Sequence, residues 1–174
     1  MKNGEVTLQE HERLMGLALV EARAALAMGE FPVGCVLAHG GEVIASGKRA
    51  HSSGWGNELD HAEMVALRSF LDAETGIGAS EVTVYATMEP CLMCFSALIL
   101  NGFRKIVYAY EDAMGGGTNL PLAVLRPLYA AMEIEVTPTV LRSESLALFQ
   151  QFFRNPDNPY WKGSLLADYT LRQK

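Results

Sequence analysis

Residues 82–110 read VTVYATMEPCLMCFSALILNGFRKIVYAY. The run from about Val82 to Met88 predicts a strand, the apolar run from Cys91 to Leu100 after Pro90 predicts a helix ended by Asn101-Gly102, and Lys105 to Tyr110 predicts a second strand. Working outward, the pattern keeps alternating. A Gly-rich loop, Met114 to Asn119, leads to an expected helix around Leu120 to Ala131, a strand at Glu133 to Pro138 and a helix at Ser143 to Phe153. On the N-terminal side, apolar residues at Leu14, Leu17, Ala18, Ala25 and Met28 predict a surface helix over Leu8 to Met28, with Gly29 as its stop. Two β-like runs follow, Pro32 to Ala38 and Glu42 to Ser46, joined by the hairpin-like His39-Gly40-Gly41. After a loop over residues 47–59, Met64, Leu67 and Leu71 predict a helix from Asp60 through Leu71, with Asp60 or a neighbour as its cap. Strands and helices in alternation imply an α/β fold with a central, partly parallel sheet covered on both faces.

The chain has 174 residues, 49% hydrophobic and 20% charged, which fits one globular domain over residues 1–174 with enough apolar surface for its own core. No repeat or linker divides it, and residues 155–174 form a C-terminal tail placed to cap either the site or a dimer mate. No stretch approaches the roughly 20 apolar residues of a membrane span. The N-terminus, Met1 to Glu12, is polar and mixed in charge rather than basic then apolar. A soluble, cytoplasmic protein without a membrane partner is expected. Three cysteines, two of them clustered, do not make a disulfide framework and fit a metal or catalytic role in a reducing compartment. A net charge of −6 offers no chain-wide attraction to phosphate backbones, which disfavours a nucleic-acid partner but leaves room for a local basic patch.

Two segments carry chemistry: Asp60-His61-Ala62-Glu63 and Glu89-Pro90-Cys91-Leu92-Met93-Cys94, each at or near a predicted helix start. Cysteines three apart on a first turn share a side, and the free amides and dipole of that turn favour thiolate, the form zinc binds. His61 supplies a third ligand, leaving the fourth tetrahedral position open for water, the arrangement of a catalytic zinc site, where the metal lowers the pKa of that water to around 7. Residues two apart on a continuous helix point in nearly opposite directions. If His61 and Glu63 serve one site, His61 therefore stands at the helix edge with Glu63 in the first turn, where its carboxylate moves protons as general base and acid. A Cys-x-x-Cys pair alone also fits a redox pair or half a structural zinc knuckle. The chain has no second pair to complete the knuckle, and His-x-Glu with a downstream Pro-Cys-x-x-Cys is the pattern of zinc deaminases.

At these residues the sequence resembles the cytidine deaminase superfamily, and within it the branch of tRNA adenosine deaminases and bacterial guanine deaminases. The likeness runs through Phe31 to Leu37, His61 to Met64, Thr87 to Cys94, Tyr108 to Asp112, and Glu144 to Arg154. The resemblance implies a three-layer α/β/α sandwich on a central five-stranded mixed sheet, one Zn2+ per chain with water or hydroxide as fourth ligand, and a homodimer. Relatives that take purines carry an Asn on the second strand that contacts the base; aligned on Gly47, this chain has Arg49, which is either a substrate contact or an ordinary solvent-exposed Arg. The tRNA enzymes end in a basic helix, whereas this tail offers Lys162, Arg172 and Lys174 against Asp157 and Asp168, and brings Tyr160, Trp161 and Tyr169. Guanine deaminases close the pocket with C-terminal aromatics, which stack on a base; the same residues also fit a tail docked on the body or on a dimer mate.

Candidate substrate contacts are Arg49, His51, Ala62, Glu89, Pro90 and Trp161. Cys35 reads as core, His11, His39 and His51 as surface residues, with His51 also near enough to line a pocket, and Trp55 as a stacking wall or loop anchor. Met88, Met93 and Met114 read as core or pocket rim, and Gly115-Gly116-Gly117 as a flexible rim. The expected function is zinc-dependent hydrolytic deamination of a nucleobase taken as a free base or nucleoside. The alternative is a tRNA adenosine deaminase that makes inosine, and a third reading is a non-catalytic deaminase-fold binding subunit.

Overall fold

Strand β1 (Gly34–His39) sends its side chains alternately into two apolar layers, Cys35 and Leu37 into one, Val36 and Ala38 into the other. β3 (Thr83–Met88) repeats the division with Val84 and Tyr85, and β4 (Lys105–Tyr110) with Ile106 and Val107. The computed structural model describes residues 6–53 and 56–174. In it these strands join β2 (Glu42–Lys48) and β5 (Glu135–Thr137) in one five-stranded sheet, ordered β2-β1-β3-β4-β5. β1 runs antiparallel to β2 and β3, while β3, β4 and β5 are parallel. The β1–β2 hairpin closes through Gly40 and Gly41, whose φ of 59° and 84° suit a tight turn between right-twisted strands.

Helix α1 (Leu8–Ala27) covers one face with Leu14, Met15 and Ala18, while α2 (Ala62–Asp72) and α3 (Leu92–Leu100) cover the other with Ala66, Leu67, Phe95 and Leu98. This is the three-layer α/β/α sandwich of the resemblance. Helices α1 and α2 each cross the hairpin at a glycine. A Cβ on Gly34 would lie 2.2 Å from the Ala18 carbonyl oxygen, and one on Gly47 would lie 2.3 Å from that of Ala62. The missing side chains let α1 and α2 pack directly on strand backbone, which fixes the height at which α2 begins.

The expected helix over 120–131 does not form. Its span holds a 3-10 turn at Leu122–Val124 and the one-turn α4 (Pro127–Ala130), because Pro127 forces Arg126 into an extended conformation, φ −66° and ψ 156°. The next strand is correspondingly short. α5 (Arg142–Arg154) packs beside α1, Leu148 against Leu19 and Ala22. After turns at 156–163 the tail ends in α6 (Leu165–Arg172), capped by the Ser164 hydroxyl, and docks on the body through Leu166, Ala167 and Thr170, whose hydroxyl meets that of Tyr110 at 3.0 Å. Among the described residues no helix is long and apolar enough to cross a membrane.

Candidate active site

Two helix starts meet beyond the end of β3. His61 caps α2 in an extended conformation, φ −65° and ψ 150°, its carbonyl accepting the Val65 amide, so Glu63 falls in the first turn just beyond it. Cys91 caps α3 in the same way and accepts from the Phe95 amide, with Cys94 one turn on. The proline therefore precedes the cap instead of occupying the first helical position, and the Pro90 carbonyl accepts the Gly117 amide at 2.9 Å.

His61 Nδ1 lies 3.5 Å from the Sγ of both Cys91 and Cys94. Zinc bonds of roughly 2.0 Å to nitrogen and 2.3 Å to sulfur at a tetrahedral angle place such atoms roughly 3.5 Å apart. The three residues thus stand at the spacing of zinc ligands, and among the described residues they form a group able to hold a metal ion. Among themselves they share protons. A hydrogen bond from Cys94 brings the Cys91 thiol down to about 4 against the cost of burial, while the same bond and burial push Cys94 up. Burial opposes the charging of His61, yet its hydrogen bond to Cys91 and the charges of Glu63 and Cys91 raise it to about 9. At neutral pH this leaves a Cys91 thiolate beside a protonated His61, and a bound dication would displace the protons that His61 and Cys94 keep.

Glu63 is 3% exposed, and its Oε2 is buried with no hydrogen-bond partner. Burial, reinforced by the charge of Cys91 and resisted by His61, raises its carboxyl to about 7. A carboxyl that changes charge near neutrality is suited to taking up and returning a proton.

The pocket beside this group has a volume of about 110 Å³. Phe31, Val33, Met88 and Leu166 give it apolar walls, Glu58, Glu63, Glu89 and Asp112 line it with carboxylates, and Tyr160 and Trp161 reach it from the tail. Of the expected contacts, Arg49, Ala62, Glu89 and Trp161 line it, as do Met88 and Met114. His51 is turned outward, its side chain 71% exposed and bonded to Asp60 at 2.7 Å, and Pro90 is buried behind the wall with its carbonyl engaged; neither is a lining residue. Trp55 lies outside the described residues. Cys35 is core, fully buried. His11 is not simply a surface residue, since its Nδ1 meets the Tyr85 hydroxyl at 2.9 Å in a partly buried site.

Arg49 is not the ordinary exposed Arg that its place in a loop allowed. It is 2% exposed, donates to the carbonyls of Ala50 and Asn57 at 2.8 and 2.7 Å and to Glu58 at 3.1 Å, and lies 5.8 Å from the ring centre of Tyr160. The glycine run 115–117 packs closely against Glu89 and the start of α3. Glu89 accepts from the amides of Asp112 and Thr118, a Cβ on Gly116 would fall on the Glu89 carboxylate, and one on Gly117 would lie 2.7 Å from Leu92 backbone. The glycines let this strap lie against the start of α3. Sequence reasoning missed Glu58, Asp112 and the paired role of Tyr160; the Asp112 segment fell within the quoted likeness, but nothing in the composition of residues 57–60 distinguishes Glu58 from a solvated loop acid.

A His/Cys/Cys group able to hold zinc at two helix starts, with a buried carboxylate beside a pocket, is the arrangement of the zinc deaminases. Residues 8–110 match the family model for the cytidine and deoxycytidylate deaminase zinc-binding region, and the chain belongs to that family. It is similar to a tRNA-specific adenosine deaminase of Agrobacterium fabrum, 33% identical over 84% of this chain and 96% of that one. A solved structure from studies of A-to-I editing by tRNA:A34 deaminases is 29% identical, with a TM-score of 0.65 over 78% of this chain and 98% of its own. A guanine deaminase from Nitrosomonas europaea shares the fold, with a TM-score of 0.66 at 24% identity over 81% of this chain and 83% of that one.

Proposed function

We propose that the chain deaminates an amino-bearing base by hydrolysis and takes it as a free base or nucleoside, with His61, Cys91 and Cys94 as the zinc ligands and Glu63 as proton carrier. Zinc held by the triad supplies Lewis acidity that makes a water reactive at neutral pH. Glu63 takes a proton from the attacking water and passes it to a ring nitrogen of the base. It then takes the second proton from the hydroxyl added to the ring carbon and delivers it to the amino group, so that the carbon–nitrogen bond breaks, the base keeps a ring carbonyl and ammonia leaves. The Glu63 Oε2, buried beside the pocket and without a hydrogen-bond partner, supports this role, because a bound water or substrate would satisfy it. Phe31, Val33 and Leu166 line the pocket beside that carboxylate and would give a flat base apolar walls to pack against.

The observation that carries the substrate class is the wall of the pocket. Tyr160 and Trp161 lie across it, and among the described lining residues the one guanidinium, Arg49, is bonded to Glu58 and two backbone carbonyls. A pocket of this kind offers a base an aromatic surface and, among the described lining residues, offers a phosphate backbone no exposed Lys or Arg. A second reading, deamination of an adenosine within a tRNA anticodon, is favoured by the names of the sequence relatives. One panel separates them: ammonia release from guanine, adenine, cytosine, their nucleosides and a tRNA anticodon stem-loop. Turnover of at least one free base or nucleoside is expected; turnover of the stem-loop alone would overturn the small-molecule reading.

A further inference from the structure

Glu58 sits in the loop before α2, three residues ahead of His61, and its carboxylate gathers three donors from three parts of the chain. Its Oε2 lies 3.2 Å from His61 Nε2, 3.1 Å from Arg49 Nη2 and 3.1 Å from the Tyr160 hydroxyl, which also stands 3.3 Å from Oε1. The opposite nitrogen of the same imidazole, Nδ1, faces the two cysteine sulfurs. A neutral imidazole has one N–H and one lone pair. If Nδ1 gives its lone pair to a metal, Nε2 keeps the proton and needs an acceptor.

We propose that Glu58 is a positioning residue for the metal centre: it accepts the Nε2 proton of His61, fixes the ring with Nδ1 toward Cys91 and Cys94, and through Tyr160 ties that ligand to the C-terminal wall of the pocket. The Glu58 side chain is 58% exposed, so one ion pair there would contribute little. Its effect comes from convergence. The buried guanidinium of Arg49 holds the carboxylate in place, and the carboxylate in turn holds a ring that would otherwise rotate about its own bonds.

The proposal rests on reading His61, Cys91 and Cys94 as ligands, and zinc binding measured by chelator competition tests the two separately. If the wild-type protein takes up no zinc, the ligand reading itself fails. With wild-type binding established, Glu58→Ala is expected to weaken zinc about 10- to 100-fold, the range for removal of a carboxylate behind a ligating histidine, and also to lower the melting temperature of the zinc-stripped protein, because the buried Arg49 guanidinium loses its carboxylate. Glu58→Gln, which keeps an acceptor oxygen, is expected to lose less. Tyr160→Phe leaves the Glu58–His61 contact in place and should hold zinc within about twofold of wild type. Equal zinc affinity in Glu58→Ala and wild type would overturn the proposal. So would an equal loss in Tyr160→Phe, which would assign the effect to a loosened pocket wall.

Discussion

At the residue scale, the grouping of His61, Cys91 and Cys94 is the part of the candidate site most legible in sequence, because each sits at a helix start that the chain marks locally. Pro90 forecasts the beginning of α3, and the spacing of His61 and Glu63 makes sense only if the histidine caps its helix, as it does. What stayed illegible depends on long-range contact. Glu58 and Tyr160 are 102 residues apart, and Arg49 is buried only because Glu58, Asn57 and the tail close over it. The ligand set has a direct consequence. Cys94 is fully buried, and Cys94→Ala removes one of the three side chains placed to hold the ion. Zinc content measured by atomic absorption should fall from about one per chain to near zero, since a site of two protein ligands is far weaker than one of three.

At the element scale, the crossover of β3, α3 and β4 and the hairpin of β1 and β2 could be read from pattern and turn residues, whereas the segment at 120–131 could not. Its apolar composition suits a helix, but Pro121 and Pro127 break the backbone into single turns. The glycines at the helix crossings are invisible to pattern as well, since their role lies in what packs above them. Gly47→Ala would put a methyl group 2.3 Å from the Ala62 carbonyl oxygen and 2.6 Å from the Ala66 amide, pushing α2 off β2. Chemical denaturation should show a loss of about 1–3 kcal/mol, the usual cost of overpacking. Weakened zinc affinity should accompany it, because His61 and Glu63 move with the helix. Unchanged zinc affinity in a destabilised variant would show that the site does not depend on the seating of α2.

At the scale of the whole molecule, the tail is fastened to the body near the end of β4. Arg142 donates to Glu111 through Nε at 2.8 Å and also through Nη2, and the Tyr169 hydroxyl donates to the same carboxylate at 2.7 Å. Burial raises the Glu111 carboxyl, but these bonds outweigh it and hold the group below its ordinary value. A carboxyl whose folded value is depressed adds stability that is present above its unfolded value and is lost as pH falls through the folded one. The wild-type melting temperature should therefore drop more steeply than that of Glu111→Gln as pH is lowered from about 5 to about 3; parallel curves would show that the clasp contributes nothing. The sheet, most of the helices and the grouping of His61, Cys91 and Cys94 could be anticipated from sequence, but a tail that forms one wall of the pocket depends on these distant contacts. The most direct test of the central claim is ammonia release by wild type and Glu63→Gln, compared at equal zinc content on whichever aminated base turns over. A loss of about a hundred- to ten-thousandfold in the variant, with zinc retained, is the expected result. Near-normal ammonia release from zinc-loaded Glu63→Gln would contradict the account.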